Sequence, residues 1–171
     1  MKFSDLAVYL EKLEATASRT EMTKLLAEVL RTASAAEVSK ASYLLLGELL
    51  PPYRGVEFNL AEKMMILVLV KAYGASAAEV ARRYKSMGDL GDAAYALAGK
   101  KRGAGTGKLS VAEVYDRMLK ITEEAGAGSR ERKIAKMAGL LGELDSRSAK
   151  FVVRIPVGKL RLGFSEATLL D

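Results

Sequence analysis

Lys159 and Arg161, near the end of the chain, have the type and spacing to grip two anionic oxygens at once. They alternate with Leu160 and Leu162 and are bracketed by Gly158 and Gly163. In extended backbone, period-two geometry puts both cations on one face and both leucines on the other. On a helix the two cations would diverge by about 200°. The glycines let backbone come close to a ligand and bare its amides. Pro156 lacks an amide donor and disfavours helical geometry at Ile155, so the helix carrying Phe151 to Ile155 is expected to stop there. A plain basic connector between two helices fits the same spacing.

Two further stretches could meet anions. Gly126-Ala127-Gly128-Ser129-Arg130-Glu131-Arg132-Lys133 leads a glycine-rich turn into a helix start, where free amides and the positive end of the dipole favour negative charge. Ser129 is the expected cap, and Arg130 and Lys133, three apart, share a face that extends the patch. A helix cap with solvated charges is the competing reading. Lys100-Lys101-Arg102-Gly103-Ala104-Gly105-Thr106-Gly107-Lys108 ends like a phosphate-binding loop. The Walker pattern, however, needs glycine at Arg102, Ser or Thr at Leu109 and a preceding strand. A basic loop that meets phosphates is left, alongside a merely disordered one.

Catalytic chemistry has little to work with. The chain has no histidine and no cysteine, which removes the commonest general base, the thiolate nucleophile and any disulfide framework. No cluster of carboxylates suited to Mg²⁺ is evident. Glutamine is absent and Asn59 is the one asparagine, a scarcity of thermolabile residues that hints at a thermophile. No signal peptide or membrane span is evident: Met64 to Val70 is strongly apolar but too short to cross a bilayer, so a cytoplasmic location is expected, nucleoid-associated in a prokaryote.

Charge is distributed unevenly. Residues 1–98 carry 12 Lys or Arg against 12 Asp or Glu, whereas residues 99–171 carry 15 against 9, so the whole net charge of +6 falls in the second part. Localised positive charge is the sequence footprint of a polyanion-binding face.

The elements that must position these groups are helical. At 171 residues the chain fits one domain with its own core. Alanine, leucine, lysine and glutamate dominate, and no sustained strand alternation appears. The spacing predicts a first helix capped by Ser4, with Leu6, Tyr9, Leu10 and Leu13 inward, and a second from near Thr20. Ser34 with Glu37 opens a third, ended by Pro51-Pro52. Asn59 with Glu62 opens a fourth, apolar all round and so expected to be central and buried. Ser76 with Glu79 caps a fifth, and a turn at Gly88-Asp89-Leu90-Gly91-Asp92 precedes a sixth over 93–98. Ser110 with Glu113 opens a seventh, Ser129 an eighth, Ser146 a ninth and Ser165 a last. The expected fold class is therefore all-α, a compact single domain of about ten short helices spanning 1–171.

Ile155-Pro156-Val157-Gly158-Lys159-Leu160-Arg161-Leu162-Gly163 resembles the signature near the end of the N-terminal DNA-binding domain of ATP-dependent DNA ligases of the archaeal and eukaryotic replicative type. Three other stretches agree in order and spacing. Leu49-Leu50-Pro51-Pro52-Tyr53-Arg54-Gly55-Val56-Glu57 resembles the loop before that family's central helix. Lys85-Ser86-Met87-Gly88-Asp89-Leu90-Gly91 resembles its Gly-Asp-Leu-Gly turn, whose role is packing, since Asp89 and Asp92 would repel phosphate. The Gly126–Lys133 stretch resembles its Gly-Ser-rich turn, although Glu131 and Arg132 depart from the family's more neutral residues. Arg19 and Thr20 stand where the family's second helix begins and meets the DNA backbone.

The resemblance implies sequence-independent binding of nicked duplex DNA through phosphate contacts on the minor-groove side, in an enzyme that seals nicks during replication, repair and recombination. Charge and resemblance together nominate Arg19, Thr20, Pro52, Arg54, Lys100, Lys101, Arg102, Lys108, Gly128, Ser129, Arg130, Lys133, Gly158, Lys159 and Arg161. The family's adenylation motif, Lys-x-Asp-Gly, occurs nowhere in the chain. The nucleotidyltransferase and OB domains are therefore expected beyond residue 171, with ATP and Mg²⁺ as cofactors of the parent enzyme and none in this chain. Partners implied are double-stranded DNA, the catalytic domains of the same polypeptide and a sliding clamp, with no membrane. The alternative is a helical protein-interaction module whose basic loops contact an acidic protein.

Overall fold

The computed structural model describes residues 1–101 and 105–170 and is all-α, with ten α-helices, one 3₁₀ turn and no strand among the described residues. The helices are α1 (Phe3–Ala15), α2 (Arg19–Thr32), α3 (Val38–Leu46), α4 (Glu62–Tyr73), α5 (Ala77–Met87), α6 (Leu90–Lys100), α7 (Val111–Thr122), α8 (Ser129–Glu143), α9 (Ser146–Arg154) and α10 (Glu166–Leu170), with the 3₁₀ turn at Pro52–Arg54. Their apolar stripes converge on one core in which Phe3, Leu6, Leu10, Met65, Leu69, Met118 and Phe151 are fully buried. α4 is central as expected but not buried all round, for Leu67 is exposed.

Several helix boundaries follow from local chemistry. Ser110 and Glu113 form the full reciprocal capping box of α7, and Ser76 accepts from the Glu79 amide at the start of α5. Four expected caps are not the caps. α1 starts at Phe3, and Ser4 Oγ instead donates to the Gly107 carbonyl. Asn59 adopts positive φ, and α4 begins three residues later without a side-chain cap. α8 is entered through Gly128 in the left-handed region rather than through Ser129. Ser34 and Glu37 do not box α3, which begins at Val38 behind Glu37 with no side-chain cap, while Ser34 Oγ donates to the Glu37 carboxylate (2.8 Å). α9 does begin at Ser146 as expected, with Asp145 as the cap that accepts from the Ser148 amide. α6 also starts earlier than its pattern suggested, because Asp89 is its N-cap and the Gly-Asp-Leu-Gly segment is its first turn. α3 stops at Gly47, four residues before Pro51.

Pro156 does not force Ile155 into extended geometry. Ile155 is helical (φ −63°, ψ −55°), and the turn continues to Gly158 (φ 65°). The Gly158 amide donates to the Ile155 carbonyl (3.1 Å) and the Lys159 amide to the Arg154 carbonyl (2.9 Å). This paired closure around a left-handed residue is what ends the helix, so the glycine, not the proline, is the terminator.

The contacts sort the helix ends into two groups. At one end Arg154 meets Glu14 and Asp89, Lys133 meets Phe58, Leu160 covers Gly47, and Gly163 sits against Met22. At the other end Met1 meets Glu37, Lys2 pairs with Ser110, Gly107 lies against Asp145, and Lys101 meets Ala72. The chain thus shuttles between two poles, and α2, α4, α6 and α8 all begin at the first.

Candidate nucleic-acid interface

The first pole carries a cleft of about 460 Å³, lined on one side by residues of 47–61 and on the other by Ile155, Pro156 and Gly158. Pro52 of the 3₁₀ turn and Gly55 just after it are among its lining, so the loop before α4 and the turn after α9 face each other although a hundred residues separate them. Beyond Gly158 the chain is non-helical and its exposure alternates as expected: Lys159 and Arg161 are exposed, Leu162 is buried and Leu160 is half-buried on Gly47. Neither cation is in an ion pair among the described residues. Leu162 and Gly163 carry the segment to α2, whose first turn presents Arg19 and Thr20 to solvent.

α8 enters the same region. Lys133 is only 6% exposed, and its ammonium donates to the Phe58 carbonyl at 3.1 Å. That bond ties the first turns of α8 to the cleft loop, but it takes Lys133 out of the expected exposed patch: the charge is used to hold backbone. Arg130, one turn earlier, is exposed, and Ser129 is half-buried. The Arg130 and Glu131 amides precede the first i→i−4 bond, Arg132 to Gly128, and so have no intrahelical acceptor. Arg132 has a structural role. Its guanidinium donates to Glu124 (2.6 Å) and to the Ala127 and Ala125 carbonyls (2.8 and 2.9 Å), clamping the turn between α7 and α8. Hydrogen bonds from Arg132 and then Lys136 hold the Glu124 carboxyl below its ordinary pKa.

The loop that invited a phosphate-binding reading lies elsewhere. Lys101 donates to the Ala72 carbonyl in the last turn of α4 (2.8 Å), whereas the cleft is lined by Leu60 and Ala61 just before that helix begins. Twelve residues of helix separate the two, roughly 18 Å of rise. Lys100 approaches Glu79 at 3.9 Å, and exposed Lys108 follows Gly107, which is packed on Asp145 at the same opposite pole. Arg102 lies outside the described residues. Lys100, Lys101 and Lys108 therefore lie away from the pole that carries the α2 and α8 starts and the Lys159–Arg161 segment.

The charge asymmetry is also partly consumed within the fold. Arg147, Lys150 and Arg154 form one stripe on α9, and all three pair with acids of the first 98 residues. Arg154 is the hub: its guanidinium donates to Glu14 (2.7 Å), Asp89 (3.0 Å) and Asp92 (3.3 Å). Burial opposes the charge of Glu14, yet hydrogen bonds from Lys150 and Arg154 outweigh it and hold the carboxyl below its ordinary pKa. Burial likewise opposes the Arg154 charge, and Glu14 and Asp89 more than compensate. α6 fits against this cluster through Gly91: a Cβ there would lie 2.5 Å from the Lys150 carbonyl oxygen. Asp89 and Asp92 thus anchor the signature turn from beneath, in line with the packing role expected of them.

What remains exposed at the cleft pole is a set of helix starts and unpaired cations, a combination suited to anionic oxygens. Glu48 and Glu57 line the cleft itself. The cleft floor is therefore unfavourable to anions. Among the described residues no group of three His, Cys, Asp or Glu could hold a metal ion, and no single helix is long and apolar enough to cross a membrane.

Comparison with known proteins gives one consistent answer. The profile described as DNA ligase N terminus matches residues 2–171. A DNA ligase of Pyrobaculum calidifontis is 42% identical over 177 aligned positions, covering 100% of this chain and 30% of the relative. A DNA ligase of Saccharolobus islandicus is 38% identical with 100% and 30% covered, and a probable DNA ligase of Dictyoglomus thermophilum is 36% identical with 100% and 29% covered. The chain thus spans about 30% of the length of the curated relatives it matches.

Proposed function

Since the chain belongs to the DNA ligase N-terminus family, we propose that it is the sequence-independent duplex-binding module of an ATP-dependent DNA ligase. The observation that carries this reading is the shared pole of the α2 and α8 starts and the Gly158–Gly163 segment, with Lys159 and Arg161 exposed on one face. Exposed cations and helix-start amides take phosphate oxygens; such contacts fix position on a duplex without reading bases, which suits an enzyme that meets nicks at any sequence. The minor-groove side is the face assigned to the contact.

The rest of the ligase reaction belongs, in this proposal, to modules outside this chain. ATP and Mg²⁺ would act there, because this chain lacks the adenylation lysine motif and its described residues offer no carboxylate cluster. The catalytic domains of the polypeptide and a sliding clamp are proposed partners on the same footing.

The test is duplex binding as a function of salt. Each phosphate neutralised contributes a log–log slope of about 0.9. Replacing Lys159 and Arg161 by alanine should lower the slope by roughly 1.8 and weaken binding at low salt, while the circular dichroism spectrum and melting curve stay those of the parent. A parent affinity that barely responds to salt, or a double variant that binds as tightly, would refute the assignment. An acidic protein partner would instead displace duplex without sharing its salt dependence.

A further inference from the structure

Phosphate contacts leave one conspicuous residue at the cleft without a role. Tyr53 is 85% exposed, the most exposed large hydrophobic side chain among the described residues. Its ring face offers a partner a large contact area, and its hydroxyl a polar handle, beside the cleft.

The backbone here is rigid. Pro51 and Pro52 fix two successive φ angles, the Arg54 amide donates to the Pro51 carbonyl (2.9 Å), and the Gly55 amide donates to the Pro52 carbonyl (3.1 Å). Tyr53 therefore stands between Pro52 and Gly55, which both line the cleft, on a backbone with little freedom left to lose on binding. Its neighbour Arg54 is exposed as well, and the facing wall of the cleft is the Ile155–Gly158 turn that leads into Lys159.

The surroundings choose the ligand chemistry. Glu48 and Glu57 line the cleft and repel phosphate, whereas the exposed cations Arg54, next to Tyr53 in the chain, and Lys159, next to Gly158 of the facing wall, attract it. A strand whose successive phosphates rest on these cations presents its uncharged deoxyribose between them. A tyrosine suits that position: its ring packs on the sugar face and its hydroxyl donates to an acceptor at the minor-groove edge. Adenine N3 and thymine O2 are both acceptors there, so a donor works at either orientation of the pair.

We propose that Tyr53 is a positioning residue for DNA, an apolar anchor against deoxyribose on the minor-groove side, set between the ionic contacts of Arg54 and the Lys159–Arg161 segment. The inference rests on the duplex-binding reading and deepens it.

The test compares four single variants of the full 171-residue chain on a short labelled duplex, nicked and intact. Tyr53→Ala should weaken binding about tenfold, with the salt slope and melting temperature of the parent, because an apolar contact releases no counterions. Tyr53→Phe keeps the ring and should stay within about threefold of the parent. Arg54→Ala should lower the slope by about 0.9. Tyr53→Trp gives the chain its single tryptophan, whose emission should be quenched by duplex and shielded from acrylamide. Tyr53→Ala binding within about twofold of the parent, or tryptophan emission unmoved at saturating duplex, overturns the inference. If Lys159→Ala/Arg161→Ala still loses affinity in that case, the duplex-binding reading stands without it. Failure of the parent chain to bind duplex removes both.

Discussion

Replacing Arg154 by methionine probes what holds the signature turn in place. The side chain is 8% exposed, donates to three carboxylates, and its own carbonyl accepts the Lys159 amide that closes the turn. Removing one member of a buried ionic cluster costs about 3–5 kcal/mol when the remaining charge is left dry. Here the partners are not dry: Glu14, Asp89 and Asp92 are 34%, 23% and 42% exposed, and Lys150 stays with Glu14 and Asp92. The loss should therefore fall at or below the lower end, about 2–3 kcal/mol, and methionine keeps an apolar group where the Arg154 guanidinium lies over the Phe151 ring. For a chain of this size that is a drop of roughly 5–10 °C in melting temperature. Urea titration followed by circular dichroism measures it. A cycle with Asp89→Asn separates the ion pair from the helix cap, because asparagine caps as well as aspartate. Stability within about 0.5 kcal/mol of the parent would show that apolar packing alone sets α9 against α1 and α6, and the ionic account of the anchor would be wrong.

Other consequences are as direct. Gly91→Ala places a methyl 2.5 Å from the Lys150 carbonyl oxygen; backbone cannot step aside cheaply, and a loss of about 1–3 kcal/mol is expected in the same titration, where a neutral result would refute the close approach. Lys133→Met should leave the core intact but free the Phe58 carbonyl, so hydrogen exchange should quicken over 55–61, and unchanged protection there would dismiss the tie. Acidification should destabilise the fold. Glu14 and Glu37 are held below their ordinary pKa of 4.5, so the stability they contribute is fully present above that value and lost as pH falls through their lower folded values. A melting temperature that stays level or rises from pH 5 to pH 3 would contradict that sign.

Much of the architecture was legible because it is written locally. Ser110 with Glu113 and Ser76 with Glu79 satisfy orphan amides within four residues, and the alternation from Lys159 to Leu162 needs only that one face be buried. The misreadings occur where distant partners decide. Asn59 and Glu62 have capping spacing, but Leu60 is buried and Lys133 holds Phe58, so the chain turns at Asn59 and starts the helix later. Pro156 reads as a helix end from its own chemistry; the closure by Gly158 and Lys159 admits it into the last turn. Counting charge located the basic part of the chain but not its surface. Arg147, Lys150 and Arg154 fall at i, i+3 and i+7, and Glu11 and Glu14 at i and i+3, a complementary pair of stripes that signals helix-on-helix pairing rather than free potential. The exposed ring of Tyr53 carried a signal too, an aromatic beside arginine in a proline-fixed turn.

Amide hydrogen exchange with and without a short duplex tests the account most directly, since it reads both poles in one experiment. The account predicts protection by DNA at 19–22, 52–55, 129–132 and 157–163, with none at 105–109 on the opposite end of α4. Protection at 105–109 and along α5 and α6, with 157–163 unchanged, would contradict it.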